Sequence, residues 1–130
     1  MSIFNAIGVA GTGVTLHRKW LDAVADNIAN VDNVSRTSDK AFQARYVMAQ
    51  EAQDGNGVEV GGIALGSAEG TLSYEPDNPM ADTEGYVRRP DIDLGSQMAQ
   101  MIMAQRSYQA NLSVVDRARD SYTAAINLGK

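Results

Sequence analysis

Residues 3–31 read "IFNAIGVAGTGVTLHRKWLDAVADNIANV", and the spacing of their apolar side chains decides the fold. Ile3, Ile7, Ala10, Val14, His17, Leu21, Val24, Ile28 and Val31 follow at alternating steps of four and three, with His17 the single polar member. That alternation is a heptad seam, the mark of a long helix that lays one stripe against another helix. Gly8 and Gly13 also have the spacing of a phosphate-binding loop. Such a loop requires Lys directly after the second Gly and a strand before the first, whereas Val14 stands in the Lys position and no strand-forming run precedes it. Read as helix positions, Gly8, Gly11 and Gly13 let another backbone come close, while each weakens the helix by about 1 kcal/mol relative to Ala.

The other end of the chain repeats the pattern. Leu94, Met98, Met101, Gln105, Tyr108, Leu112, Val115, Arg119, Tyr122 and Ile126 alternate in the same way, with Gln105 and Arg119 as polar exceptions. Both ends are therefore expected to be helices about 45 to 55 Å long. Phe4, Leu16, Trp20, Ala25, Ala29, Ile102, Ala104, Ala118 and Ala125 flank the two seams and are candidates for covering further faces. The polar run "DNVSRTSDK" (32–40) should end the first helix near Asn30 to Asn33. Phe42, Ala44, Tyr46 and Met48 alternate as in a strand, although "QARYVMAQEA" also suits a short helix. Val58 and Val60 alternate, Gly61 and Gly62 interrupt, and Leu72 and Tyr74 resume, as short strands around Gly-rich turns would. "EPDNP" (75–79) stops regular structure, and Asp91 or Asp93 is suited to cap the second helix. Three segments result: a helix over 1–31, a loop and short-strand segment over 32–92, and a helix over 93–130.

Composition narrows the chemistry. The chain's 130 residues are one domain's worth, and its net charge of −5 disfavours a polyphosphate partner. Cysteine is absent, so disulfides and thiolate metal sites are too. No apolar stretch reaches the roughly 20 residues of a membrane helix. No segment reads as a cleavable signal peptide, because the basic residues His17, Arg18 and Lys19 follow the apolar start instead of preceding it. His17 is the only histidine and lies in a seam, where a polar residue sets register. Asp77, Asp82, Glu84, Asp91 and Asp93 match no twelve-residue calcium loop and read as solvated or capping carboxylates. Met48, Met98, Met101 and Met103 read as adaptable packing. The expectation is a protein with no catalytic, cofactor-binding or metal site, and with neither nucleic acid nor a small-molecule substrate as partner.

Two fragments carry a family resemblance over about 100 of the 130 residues. "LDAVADNIANVDN" (21–33) and "YEPDNPMADTEGYVRRPDIDLGSQMAQMIMAQRSYQANLSVVDRARDSYTAAINLG" (74–129) resemble the flagellar rod and hook family. Its first helix ends in an Ala-Asn-x-Ala-Asn motif and its last carries Arg-x-Tyr-x-Ala-Asn, which Arg106, Tyr108, Ala110 and Asn111 reproduce. The run Tyr74 to Pro79, with Ala81-Asp82, Gly85-Tyr86-Val87 and Pro90, is similar to the short proximal-rod members, which lack the large inserted domains of the hook and distal rod. The resemblance implies a mainly α fold, with long N- and C-terminal helices paired as an antiparallel coiled coil and a small irregular β-containing segment between them. It implies a structural subunit in the periplasmic part of the basal body, polymerising around a central channel and exported without a cleaved signal peptide by the flagellar type III apparatus. Partners implied are other proximal and distal rod proteins and the adaptor to the membrane ring.

The residues expected at subunit interfaces are the seam members Ile3, Ile7, Ala10, Val14, Leu21, Val24, Ile28, Val31, Leu94, Met98, Met101, Leu112, Val115, Tyr122 and Ile126. Asn27, Asn30, Arg106, Tyr108 and Asn111 join them as polar elements that fix register and neighbour choice. Another rod protein of the same family, or a helical-hairpin binding module whose seams close within one molecule, are the alternatives that the residues leave open.

Overall fold

The structure, a computed structural model, describes residues 2–129. In chain order the elements are α1 (Ile3–Ala29), β1 (Arg45–Glu51), β2 (Val58–Leu65), β3 (Thr71–Tyr74), β4 (Tyr86–Arg89) and α2 (Leu94–Leu128). The fold is thus mainly α with two small two-stranded sheets, β1–β2 and β3–β4. Ser2 starts α1 by accepting from the Asn5 N–H on its hydroxyl at 3.2 Å. Asp93 caps α2: its Oδ1 accepts from the Gly95 N–H at 3.0 Å, the orphan donor that an N-cap carboxylate serves. At the other end of α1, Asn30 returns both its backbone and side-chain N–H groups to the Asp26 carbonyl oxygen. It thereby satisfies a carbonyl that the ending helix leaves open.

Two compact units divide the chain. The first holds the residues up to Leu21, Val47–Gly62 and those from Ile102 onward. Here Thr12 ties the turn between β1 and β2 to α1. Its hydroxyl donates to the Val9 carbonyl at 2.7 Å and accepts from the Val58 N–H at 3.1 Å. Gly57, at φ +110°, lies so close to Thr12 that a Cβ would collide with it, so this position requires glycine for space as well as for conformation. In this unit Phe4 meets Tyr122 edge to face, with ring centroids 5.0 Å apart.

The second unit holds Asp22–Tyr46 and Ile63–Met101. Its β3–β4 hairpin is antiparallel, with Leu72 opposite Arg88 and Tyr74 opposite Tyr86. Val87, fully buried, anchors it. Ser35 adds a bridge by exchanging backbone hydrogen bonds with Arg88 at 2.8 and 2.9 Å. The Arg88 guanidinium donates to the carbonyls of Glu69 and Thr37, and Arg89 Nε donates to Glu75 Oε1 at 2.6 Å. Gly61 and Gly62 lie inside β2 and do not interrupt it, contrary to the sequence expectation. β4 was not anticipated, because its "YVRR" has only Val87 on the buried side.

Buried apolar side chains are few among the described residues: Ala10, Ala23, Val24, Ala41, Ala44, Val87 and Ala104. Five of the seven are alanine, so the core is built from close approach of backbones more than from large side chains.

Candidate assembly surface

Burial along the two helices separates the seam residues into two columns. Ile3, Ala10, His17, Val24 and Val31 are buried or half-buried, and so are Met101, Tyr108 and Val115. The second column of each seam behaves differently. Gly13 and Asn27 are buried and Trp20 half-buried, each one residue before Val14, Ile28 and Leu21, which are half-buried. On α2, Gln97 and Ala104 are buried and Asn111 and Ala118 half-buried, whereas Met98, Gln105, Leu112 and Arg119, one residue later, are exposed. The inward face of each helix is therefore turned from the apolar seam by roughly 50° at 3.6 residues per turn.

Small side chains account for the turn. At Gly13 an added Cβ would lie 2.8 Å from Asn111 Oδ1, so glycine sets how near the two helices come in the first unit. Asn111 is steadied by donating to the Ser107 carbonyl at 2.9 Å. His17 Nδ1 lies 2.6 Å from the Gly13 carbonyl, and since a carbonyl only accepts, Nδ1 carries the proton. In the second unit Asn27 is the hub. Its Nδ2 donates to the Arg45 carbonyl at 2.9 Å and to Gln97 Oε1 at 3.0 Å, and its Oδ1 accepts from the Arg45 N–H at 2.8 Å. With both side chains almost without exposure, these bonds meet the requirement that buried polar groups be paired.

The remaining expected interface residues lie as follows. Ile7 is half-buried, and Asn30 is half-buried in the turn after α1. Leu94, Arg106, Tyr122 and Ile126 are exposed. Ile102 and Met103 add to the exposed apolar surface of α2. Gln97 is the buried partner that the sequence reading missed, while Ala104, named there only as a flanking residue, faces inward. Their signal was present as small or amide residues at a seven-residue interval, Gln97, Ala104, Asn111 and Ala118, matched on α1 by Ala6, Gly13 and Asn27, with Trp20 the exception.

The carboxylates of the 75–93 segment do structural work. Asp82 Oδ1 accepts from the N–H groups of Glu84 and Tyr86, and its Oδ2 accepts from the Thr37 hydroxyl at 3.0 Å. These bonds, that from Tyr86 foremost, hold its pKa below the ordinary value. The Arg89 guanidinium, assisted by Asn78, lowers Glu75 from 4.5 to about 2. Among the described residues no group of three or more His, Asp or Glu is placed to hold a metal ion. Among the described residues no helix is long and apolar enough to cross a membrane.

Long terminal helices with small and amide residues on their inward faces, and large apolar side chains left exposed on α2, suit a structural subunit that packs against neighbouring chains. Residues 83–128 match the family model of the flagellar basal body rod FlgEFG protein C-terminal region. Over the full length of both chains, the protein is 34% identical to the flagellar basal-body rod protein FlgC of Yersinia enterocolitica and 27% identical to that of Bacillus subtilis. It is 35% identical to the FlgC of Aquifex aeolicus, over 94% of this chain and 93% of that one. The chain belongs to the FlgC family of flagellar basal-body rod proteins.

Proposed function

We propose that this chain is a structural subunit of the proximal rod that polymerises through its terminal helices around the export channel. One observation carries the reading. The faces that α1 and α2 use within the chain are lined by Gly13, Asn27, Gln97, Ala104 and Asn111, while Met98 and Leu112 of the apolar seam stay 55% and 39% exposed. A heptad column outside its own hairpin in which Met98, Leu112 and Ile126 alternate with Gln105 and Arg119 is a surface for a neighbouring helix. Within the first unit the contacts of Phe4 with Tyr122 and of Gly13 with Asn111 run in opposite directions along the two helices and support an antiparallel pairing inside each subunit. Neighbours are other rod proteins, proximal and distal, and the adaptor to the membrane ring; delivery is by the flagellar type III apparatus without signal-peptide cleavage. On this reading Ile7, Val14, Leu21 and Ile28 of α1 share the outer role with Met98 and Leu112.

Met98→Glu and Leu112→Glu test it. Both positions are exposed, so each variant should keep its unfolding free energy in urea titration within about 0.5 kcal/mol of the parent, the range of surface substitutions. Swarming and recovery of the protein in purified basal bodies should be lost. Full motility in the double variant would remove the outer column from the assembly and the proposal with it.

A further inference from the structure

We propose that Asn56 is a site of spontaneous deamidation, closing a succinimide on the backbone nitrogen of Gly57, and that the product loosens the β1–β2 turn from α1. Of the eight asparagines only Asn56 precedes glycine; the others precede Ala, Ile, Val or Leu, whose side chains obstruct ring closure, or Pro, whose nitrogen has no proton to give up. Asn56 is exposed in the turn, outside both strands. Two steps in this turn have the right residues, Asp54-Gly55 and Asn56-Gly57, and the hydrogen bonds distinguish them. The Gly55 N–H donates to the Ala52 carbonyl at 2.8 Å, which occupies the nitrogen that would attack Asp54. The Gly57 N–H has no such partner among the described residues. The Asn56 amide is held at the turn by donating from Nδ2 to the Asp54 carbonyl at 3.1 Å.

The reaction needs only water and a solvent base. As the Gly57 nitrogen gives up its proton it attacks Asn56 Cγ; the new N–C bond forms, the Cγ–Nδ2 bond breaks, and ammonia leaves with a proton taken from solvent. Water then opens the ring at either carbonyl, leaving aspartate or isoaspartate. Isoaspartate inserts a methylene into the backbone directly before Gly57. That glycine is packed against Thr12, and Val58 donates to the Thr12 hydroxyl at 3.1 Å, so a longer backbone shifts both contacts out of register.

The full-length protein, incubated native in mildly alkaline buffer, should gain one dalton in the peptide containing Asn56 and become a substrate for isoaspartyl methyltransferase. Asn56→Gln should abolish both signals. Amide exchange at Val58 should accelerate about tenfold in the isoaspartyl fraction relative to unmodified protein, as a locally opened segment does. An intact Asn56 in the native protein, under conditions that deamidate the same residue in urea, would overturn the site. Unchanged exchange at Val58 in the isoaspartyl fraction would overturn the coupling to α1.

Discussion

Asn27 makes three hydrogen bonds where water does not reach. Replacing it with Ala leaves the Arg45 N–H and carbonyl and the Gln97 amide without their partner, and unpaired buried groups carry their desolvation penalty. Asn27→Ala should therefore destabilise the chain by about 2 to 4 kcal/mol in urea titration. Asn27→Asp should not rescue it, because a carboxylate cannot donate to two acceptors. The sequence singled out Asn27 as part of a helix-ending motif, but its partners Arg45 and Gln97 lie 18 and 70 residues away, and no local pattern points to them. Glu75 makes a second prediction. Its pKa is lowered in the folded chain from 4.5 to about 2, chiefly by Arg89, so the folded state favours the carboxylate. That contribution is complete above the unfolded value and is lost as pH falls from 4.5 toward 2. Glu75→Gln should flatten the acid limb of stability against pH across this window and leave the slope above it unchanged.

The helices were legible from their spacing, and the sense of their faces only half so. A seam read from hydropathy follows the large apolar side chains, and one column of it, through Ala10, Val24, Met101 and Tyr108, does face inward. For the other column the small residues prevail, because Gly13 and Ala104 allow backbone approach that Val14 and Gln105 would prevent. Hydropathy scales give glycine and alanine little weight. β4 escaped notice for a related reason, since pairing with β3 over four residues needs no apolar alternation. The glycines of α1 allow a test at this scale. A Cβ at Gly8 or Gly11 meets nothing within 4 Å, so Gly8→Ala and Gly11→Ala should stabilise the isolated chain by up to about 1 kcal/mol each. Gly13→Ala should destabilise it despite the same gain in helix propensity, and Asn111→Ala should recover part of that loss in a double-mutant cycle. If neighbouring helices approach at Gly8 and Gly11 in the assembled rod, the two stabilised variants should nonetheless swarm poorly. Wild-type swarming would show that these two glycines face no neighbour.

For the molecule as a whole, every described residue from Arg119 to Gly129 is exposed, including Tyr122 and Ile126. Deleting the last ten residues should lower the far-UV helical signal roughly in proportion to the residues removed, leave the second unit's urea transition in place, and abolish rod incorporation. A motile deletion strain would contradict the role given to α2. Neither the two-unit division nor the Thr12 anchor was foreseen, because both depend on residues far apart in the chain.

A core made mostly of alanine has a mechanical meaning as well. Resistance to being pulled open comes from the apolar surface that must be exposed at each step, and five alanines and two valines present little of it. Drawn lengthwise into a narrow pore, such a chain should straighten under modest force and recover its stiffness only once other chains surround it.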